Sequence, residues 1–243
     1  MMDLRNSNFG TQTARPVDGS LAKSFMSNVF SWMSLALVVS GVFAYLFGTS
    51  TELIGYIYNL QTGGMTIFGY LTVFGPLILV LIMGMRFQKL SYGSMVILYA
   101  VFSALMGISL SSIFLIYTMG SIAKVFFITA ATFGAMALVG YTTKTDLTKF
   151  GSILYMALIG IIIASVVNWF MHSAQMDYII SILGVLIFTG LTAYDVQKLK
   201  RIGMGLEYQD ENTNKLVLMG ALSLYLDFIN LFLFLLRLFG DRK

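Results

Sequence analysis

One carboxylate lies in the middle of an apolar stretch, in a chain that otherwise keeps its charges at the ends of such stretches. This residue is Asp227, centred in the last stretch, residues 223–236. A carboxylate in hydrocarbon costs about 2.5 to 3.5 kcal/mol on insertion scales, so it persists only with a partner, a proton or an ion. Binding of protons or cations is therefore the chemistry that this position favours.

Polar residues around Asp227 share one helix face. Ser223, Asp227, Asn230 and Arg237 are separated by four, three and seven residues, and these spacings return to the same side of a helix. The other residues of this stretch are mainly Leu, Phe and Ile. Such a stripe is expected to face the bundle interior or a water-filled path, so Ser223 and Asn230 are candidates to line a pore.

A second carboxylate ends the preceding apolar stretch, where Thr192 and Asp195 share a helix face and Lys198 follows one turn later. Asp195 is either a partner of Asp227, with Thr192 as a further pore-lining candidate, or half of an ordinary helix-end ion pair with Lys198. Asp195 lies about 5 Å along its helix from Lys198, and Asp227 about 18 Å from Lys215. The carboxylates therefore meet only if the last helix begins well outside the hydrocarbon.

The second apolar stretch contains Pro76 and ends at Arg86. Arg86 is either a basic anchor at the membrane surface or a cation that approaches Asp195 from the same leaflet. Pro76 removes a backbone donor and should bend its helix, so it is a candidate hinge.

The composition is that of a polytopic membrane protein: 58% of the 243 residues are hydrophobic and 11% are charged, against about 25% charged in soluble domains. With no cysteine and one histidine, thiolate nucleophiles and zinc sites built from histidines are excluded. We expect no enzyme and no cofactor. A protease with paired aspartates is an enzymatic alternative, but the expected glycine context is missing. The basic residues are scattered at segment ends, which predicts no nucleic-acid partner.

The chain divides into a polar tail, residues 1–22, predicted to be disordered, and a membrane domain, residues 23–243. Seven apolar stretches are each long enough for about 30 Å of hydrocarbon. They cover residues 25–47, 66–85, 93–117, 125–143, 150–170, 178–197 and 216–239. The prediction is an all-α protein with seven transmembrane helices, although the seventh stretch could instead be re-entrant.

Basic residues predict a cytoplasmic N-terminus. In that orientation the outer loops contain only Lys124, as the positive-inside rule requires. Arg237, Arg242 and Lys243 would lie outside if the seventh stretch crosses, which keeps the re-entrant alternative open. The inner segments contain Arg5, Arg15, Lys23, Arg86, Lys89, Lys144, Lys149, Lys198, Lys200, Arg201 and Lys215.

Five motifs follow one another along the chain. They are Gly107-Ile-Ser-Leu-Ser-Ser-Ile-Phe114, Phe127-Ile-Thr-Ala-Ala-Thr-Phe133, Gly140-Tyr-Thr-Thr-Lys-Thr-Asp-Leu147, Thr192-Ala-Tyr-Asp195 and Ser223-Leu-Tyr-Leu-Asp-Phe-Ile-Asn-Leu231. In this order they resemble the Bax-inhibitor-like, or transmembrane BAX inhibitor motif, family in its bacterial branch. The resemblance covers nearly everything after the polar tail. It implies seven helices in the inner membrane, with the seventh surrounded by the other six.

This resemblance also implies a function. The family is associated with a pH-sensitive calcium leak controlled by two aspartates and an arginine, and Asp195, Asp227 and Arg86 match these positions. The aspartates would form the proton sensor and a weak transit site for calcium, with Arg86 as a latch. One alternative is a regulator that binds another membrane complex, such as a membrane protease, and whose aspartates are structural. Another is proton-coupled solute transport.

Overall fold

The computed structural model describes residues 19–59, 64–208 and 210–243. Within these ranges the chain forms helices, seven of which are long and apolar enough to cross a membrane when α4 and α5 are taken together. The prediction of an all-α protein with seven transmembrane helices is confirmed. The helices are α1 (Gly19–Thr49), α2 (Thr51–Ile57), α3 (Ile67–Met85), α4 (Tyr92–Leu110), α5 (Ile113–Ile116), α6 (Met119–Thr142), α7 (Thr148–Met171), α8 (Ala174–Met204) and α9 (Glu211–Phe239).

Several helices extend beyond the apolar stretches that predicted them, because hydropathy detects only the part of a helix suited to hydrocarbon. The first helix begins at Gly19, inside the predicted tail, whose residues 1–18 lie outside the described residues. The last helix begins at Glu211, where the side chain of Asp210 accepts a hydrogen bond from the Thr213 backbone over 2.7 Å. Such N-caps fix helix starts independently of hydropathy.

The seventh membrane helix, α9, lies at the centre of the bundle. It packs mainly against α8, α1, α6 and α4, whereas α3 packs mainly on α4 and α7 on α8. Leu218, Leu224 and Leu231 of α9 are completely buried. The central position agrees with the family resemblance, but four helices rather than six form the main contacts of α9.

The structure favours a full crossing by α9 over a re-entrant segment. The helix runs without interruption for 29 residues, about 43 Å at 1.5 Å per residue. Basic residues at its far end have protein partners: Arg237 pairs with Asp177 over 3.0 Å, and Lys243 Nζ donates to the Phe114 carbonyl over 2.7 Å. These contacts stabilise basic residues at an end of the helix where the positive-inside rule disfavours them.

We call the end of the bundle at which α1 and α9 begin the N-terminal side, and the opposite end the C-terminal side. The α3–α4 turn, the α6–α7 loop and the α8–α9 loop all lie on the N-terminal side, because the helices alternate in direction. The described basic residues that were predicted to be cytoplasmic are Lys23, Arg86, Lys89, Lys144, Lys149, Lys198, Lys200, Arg201 and Lys215. All of them lie toward this side.

Candidate proton and cation site

Asp195 lies on α8 and is only 3% exposed. Its carboxylate accepts hydrogen bonds from hydroxyls on two other helices. Ser223 of α9 donates to Oδ2 over 2.6 Å, and Tyr155 of α7 donates to Oδ1 over 3.2 Å. Three helices therefore meet at this one carboxyl group.

Asp227 lies one turn beyond Ser223 on α9 and is 6% exposed. Its Oδ2 has no hydrogen-bond partner among the described residues. Because Ser223 binds Asp195 and Asp227 follows one turn later on the same helix, the two carboxyl groups are neighbours. A buried anion without donors is costly, so Asp227 is the better position for a proton shared by the pair.

The two carboxylates meet because α8 and α9 both continue far beyond them on the N-terminal side. Ser223 is twelve residues after the start of α9 at Glu211, which is about 18 Å of helix. Asp195 is nine residues before the end of α8 at Met204, which is about 14 Å. From the sequence, the two carboxylates could meet only if the last helix begins well before them, and α9 does so.

The predicted cationic neighbours of Asp195 do not pair with it in the described part of the chain. Lys198 is exposed and forms no ion pair there, so the helix-end alternative for Asp195 is not the arrangement found. Arg86 caps the C-terminus of α3 and is also exposed. Its side chain forms no hydrogen bond or ion pair with another described residue. The role of Arg86 as a latch stays a prediction.

The three predicted pore-lining residues differ in their contacts. Ser223 binds Asp195, as described above. The Thr192 hydroxyl and the Asn230 amide each donate over 2.7 Å to the carbonyl four residues earlier in their own helices. Thr192 is completely buried. The structure therefore brings Ser223 to the carboxylates, whereas it satisfies Thr192 and Asn230 locally.

Two other predicted residues lie outside the carboxylate site. Pro76 is buried within α3, which continues past it to Met85, and its role as a hinge stays a prediction. Arg237 of the predicted polar stripe lies on the C-terminal side, where it pairs with Asp177.

Tyr155 is the site residue that sequence reasoning missed. Its ring packs edge-on against Tyr194, with centroids 6.0 Å apart. The ring of Tyr194 fills the space above Gly151 of α7, where any Cβ would overlap with it. Tyr194 thus docks α8 on α7 so that the next residue, Asp195, meets the Tyr155 hydroxyl. The sequence feature that could have indicated Tyr155 is its position inside an apolar stretch, away from the ends.

A cavity of about 310 Å³ opens beside Asp195 between α3, α8 and α9. Asp195, Ser223 and Lys198 are its polar lining residues. It extends toward the N-terminal side of the bundle, because its lining continues to Ile202 and Leu216. The buried carboxylate is therefore reachable from that side.

The described residues contain no cluster of three or more His, Cys, Asp or Glu side chains suited to a metal ion. The predicted calcium site, Asp195 and Asp227, supplies two carboxyl groups, to which Ser223 and Tyr155 add hydroxyls. Calcium prefers about six to eight oxygen ligands. These groups therefore suit brief passage of a hydrated ion better than permanent binding.

Lys215 ties the start of α9 to the turn that carries Arg86. Its side chain is 5% exposed, and Nζ donates to the carbonyls of Phe87 and Leu90 over 3.4 and 3.3 Å. One turn earlier, Glu211 accepts a hydrogen bond from the Tyr92 backbone over 2.8 Å. The position of the α3–α4 turn thus depends on α9.

The end of α8 holds the α6–α7 loop on the same side. Arg201 pairs with Asp146 over 2.6 Å, and Gln197 donates to the Thr145 carbonyl over 2.8 Å. Hydrogen bonds from Thr148 and Arg201 hold the pKa of Asp146 below its usual range. This acid therefore stays ionised at neutral and mildly acidic pH.

Comparison with known proteins identifies the family. The model of the family described as "Inhibitor of apoptosis-promoting Bax1" matches residues 22–243. The chain belongs to this family. The assignment from five motifs is thereby confirmed.

Several bacterial proteins are similar to this chain over almost their whole length. The inner membrane protein YbhL of Escherichia coli K12 is 44% identical over 222 residues, 91% of this chain and 93% of YbhL. A Borreliella burgdorferi protein is 46% identical over 223 residues, 92% of this chain and 94% of that protein. A Rickettsia prowazekii protein is 42% identical over 245 residues, the whole length of both.

Proposed function

We propose that this member of the Bax1-inhibitor family is a pH-sensitive calcium leak whose proton sensor is the pair Asp195 and Asp227. The observation that carries the proposal is the unequal bonding of two interacting, buried carboxyl groups on adjacent helices. Asp195 accepts bonds from Ser223 and Tyr155, whereas Asp227 has an oxygen without a partner. One group is suited to the charge and the other to the proton.

Two nearby carboxyl groups in a desolvated site cannot both ionise easily, so they titrate as a unit. Binding of one proton changes the charge that a calcium ion meets in the cavity. It also changes the attraction of the site for Arg86. A single protonation event therefore acts on the ion path and on the proposed latch together.

The latch in this proposal requires α3 to move. Arg86 is exposed and separate from Asp195 in the structure, and α3 lies at the periphery, packed mainly on α4. A peripheral helix shifts with fewer lost contacts than a central one. An ion pair between Arg86 and ionised Asp195 would close the cavity, which Val80 of α3 already lines.

We further propose an inner-membrane location with the N-terminus in the cytoplasm. The relative YbhL is named an inner membrane protein. The concentration of basic residues on the N-terminal side of the bundle fits the positive-inside rule. The cavity would then open toward the cytoplasm.

The test is calcium flux into proteoliposomes of purified protein, measured across about pH 5 to 8, the range in which a coupled carboxyl pair can titrate. Wild type is compared with Asp195→Asn and Asp227→Asn. Asp241→Asn, which removes an exposed carboxylate on the C-terminal side, is the matched control. We expect a pH-dependent flux in wild type and the control, and loss of its pH dependence in each site variant.

Absence of flux above empty liposomes, with folded protein, would overturn the leak proposal. The chain would then fit a regulator of another membrane complex, with structural aspartates and no enzyme activity of its own. Deletion of residues 1–18, which precede α1, separates the two functions. An intrinsic leak survives this deletion, whereas regulation through the tail does not.

A further inference from the structure

We propose that the cavity beside Asp195 is a binding site for a small amphipathic monocation, namely a protonated amine attached to an apolar body. The proposal rests on the cavity and its charges and does not depend on the calcium leak. It assigns a ligand class to a space that the proton sensor alone leaves unexplained.

The shape of the cavity suits such a ligand. Its volume of about 310 Å³ lies at the lower end of the range of about 300–1,000 Å³ for small-molecule sites. Its walls are apolar apart from Asp195, Ser223 and Lys198. Val80, Leu199, Met219 and Leu226 are among the apolar residues that line it. An apolar body is therefore favoured along most of the surface.

Asp195 gives the cavity its preference for a cation. Both of its hydrogen bonds come from neutral hydroxyls, and no cation pairs with it in the described part of the chain. An ionised carboxylate offers about four acceptor positions, so an ammonium group can bind beside the two hydroxyls. Ser223 and Tyr155 come from different helices and keep the acceptor in place.

Lys198 is the charged residue that opposes this ligand. It contributes to the cavity lining but is exposed to solvent, so its repulsion is screened. The ammonium group of Lys215, by contrast, is directed to the carbonyls of the α3–α4 turn. Removal of the Lys198 charge should therefore strengthen binding, whereas removal of the Asp195 charge should weaken it.

Calcium is a poorer long-term occupant of the same space. The lining provides one carboxylate and one hydroxyl, far fewer than the about six to eight oxygens that calcium prefers. A protonated amine needs only a few acceptors, and its apolar body gains from burial. The cavity is therefore more selective for an organic cation than for a bare metal ion.

The test uses a matched pair of probes, 1-naphthylmethylamine and 1-naphthalenemethanol, which have similar shape but differ in charge at neutral pH. Binding is measured by isothermal titration calorimetry with the full chain in lipid nanodiscs, and empty nanodiscs correct for partitioning. We expect the amine to bind at least about tenfold more tightly than the alcohol, a difference of about 1.4 kcal/mol.

Four variants make the test specific. Asp195→Asn should weaken amine binding at least about tenfold, and Lys198→Gln should strengthen it about two- to fivefold, as expected for an exposed charge. Leu216→Trp fills the cavity without changing charge and should abolish binding of both probes. Asp177→Asn, on the opposite side of the bundle, should leave binding unchanged.

Equal binding of amine and alcohol, or unchanged amine binding in Asp195→Asn, would overturn the proposal, because the carboxylate would then not select the cation. A melting temperature close to wild type shows that each variant is folded. Loss of amine binding in Leu216→Trp supports the site even if Asp195→Asn proves unstable. The measurement contains neither calcium nor a proton gradient, so its outcome is separate from that of the leak experiment.

Discussion

The Ser223 hydroxyl of α9 donates to Oδ2 of Asp195 on α8 across 2.6 Å. One turn further along α9, Asp227 has a buried Oδ2 that lacks a partner among the described residues. The same helix therefore supports one member of the carboxyl pair and leaves the other unsupported. This asymmetry gives the two aspartates different energetic roles, which substitutions can separate.

Replacement of each aspartate by leucine should have different effects on stability. Asp195→Leu leaves the Ser223 and Tyr155 hydroxyls without their acceptor, which should lower the free energy of unfolding by about 1–3 kcal/mol. Asp227→Leu removes a buried carboxyl group whose Oδ2 lacks a partner among the described residues, and it should be neutral or stabilising. Denaturant unfolding in detergent, followed by circular dichroism, measures both. Equal destabilisation by the two changes would contradict the proposed asymmetry.

Tyr155→Phe should shift the pH dependence of the leak without abolishing it. The change removes one donor to Asp195 but keeps the ring that packs on Tyr194. A hydroxyl donor favours the charged form of its acceptor, and this change removes one such donor from the carboxyl pair. The midpoint of the flux profile should then move to higher pH.

Tyr194→Phe is the matched control for this change. This substitution keeps the ring that occupies the space above Gly151. It removes only the Tyr194 hydroxyl, which is not a donor to the carboxylate site. The flux midpoint should stay at the wild-type value. A midpoint that moves equally in both variants would show that Tyr155 acts through packing rather than through its hydroxyl.

Asp146 should contribute stability without acting as a pH sensor. Its pKa is held below the usual range by Thr148 and Arg201, so its stabilising contribution is complete above the ordinary aspartate pKa. This contribution is lost as the pH falls below about 4, toward the lowered pKa of the folded protein. Asp146→Asn should therefore reduce the melting temperature by the same small amount throughout about pH 5 to 8.

The flux profile of Asp146→Asn provides the corresponding control. Its midpoint should match that of wild type, because the acid is exposed and already ionised over the tested range. A shifted midpoint would instead assign part of the pH response to the α6–α7 loop and weaken the case for Asp195 and Asp227.

The number of membrane helices and the importance of Asp227 could be predicted from the sequence because each depends on local properties. The pairing of Asp195 with Asp227 was implied by the family resemblance, since helix spacing only permitted it. Long apolar stretches set the helices, and a charge as unfavourable as Asp227 in hydrocarbon indicates a site. Tyr155 was missed because its contact depends on how α7 docks on α8 through Tyr194. Lys215 was counted as a surface cation, but its long side chain reaches backbone carbonyls in another helix. Such contacts depend on how the helices pack together, which cannot be inferred from the residue pattern along the chain.

Gly140→Ala should displace the turn of α8 that carries Asp195. A Cβ at Gly140 of α6 would overlap with the Ala193 carbonyl, and small residues at such crossings allow close backbone approach. The helices must separate, which should cost about 1–3 kcal/mol of stability and weaken both hydrogen bonds to Asp195.

Gly134→Ala, in the same helix, is the control, because a Cβ there meets nothing within 4 Å. Thermal unfolding should show a loss only in Gly140→Ala, and the flux profile should change only in that variant. If the two changes have equal effects, the close crossing of α6 and α8 does not position the carboxyl pair.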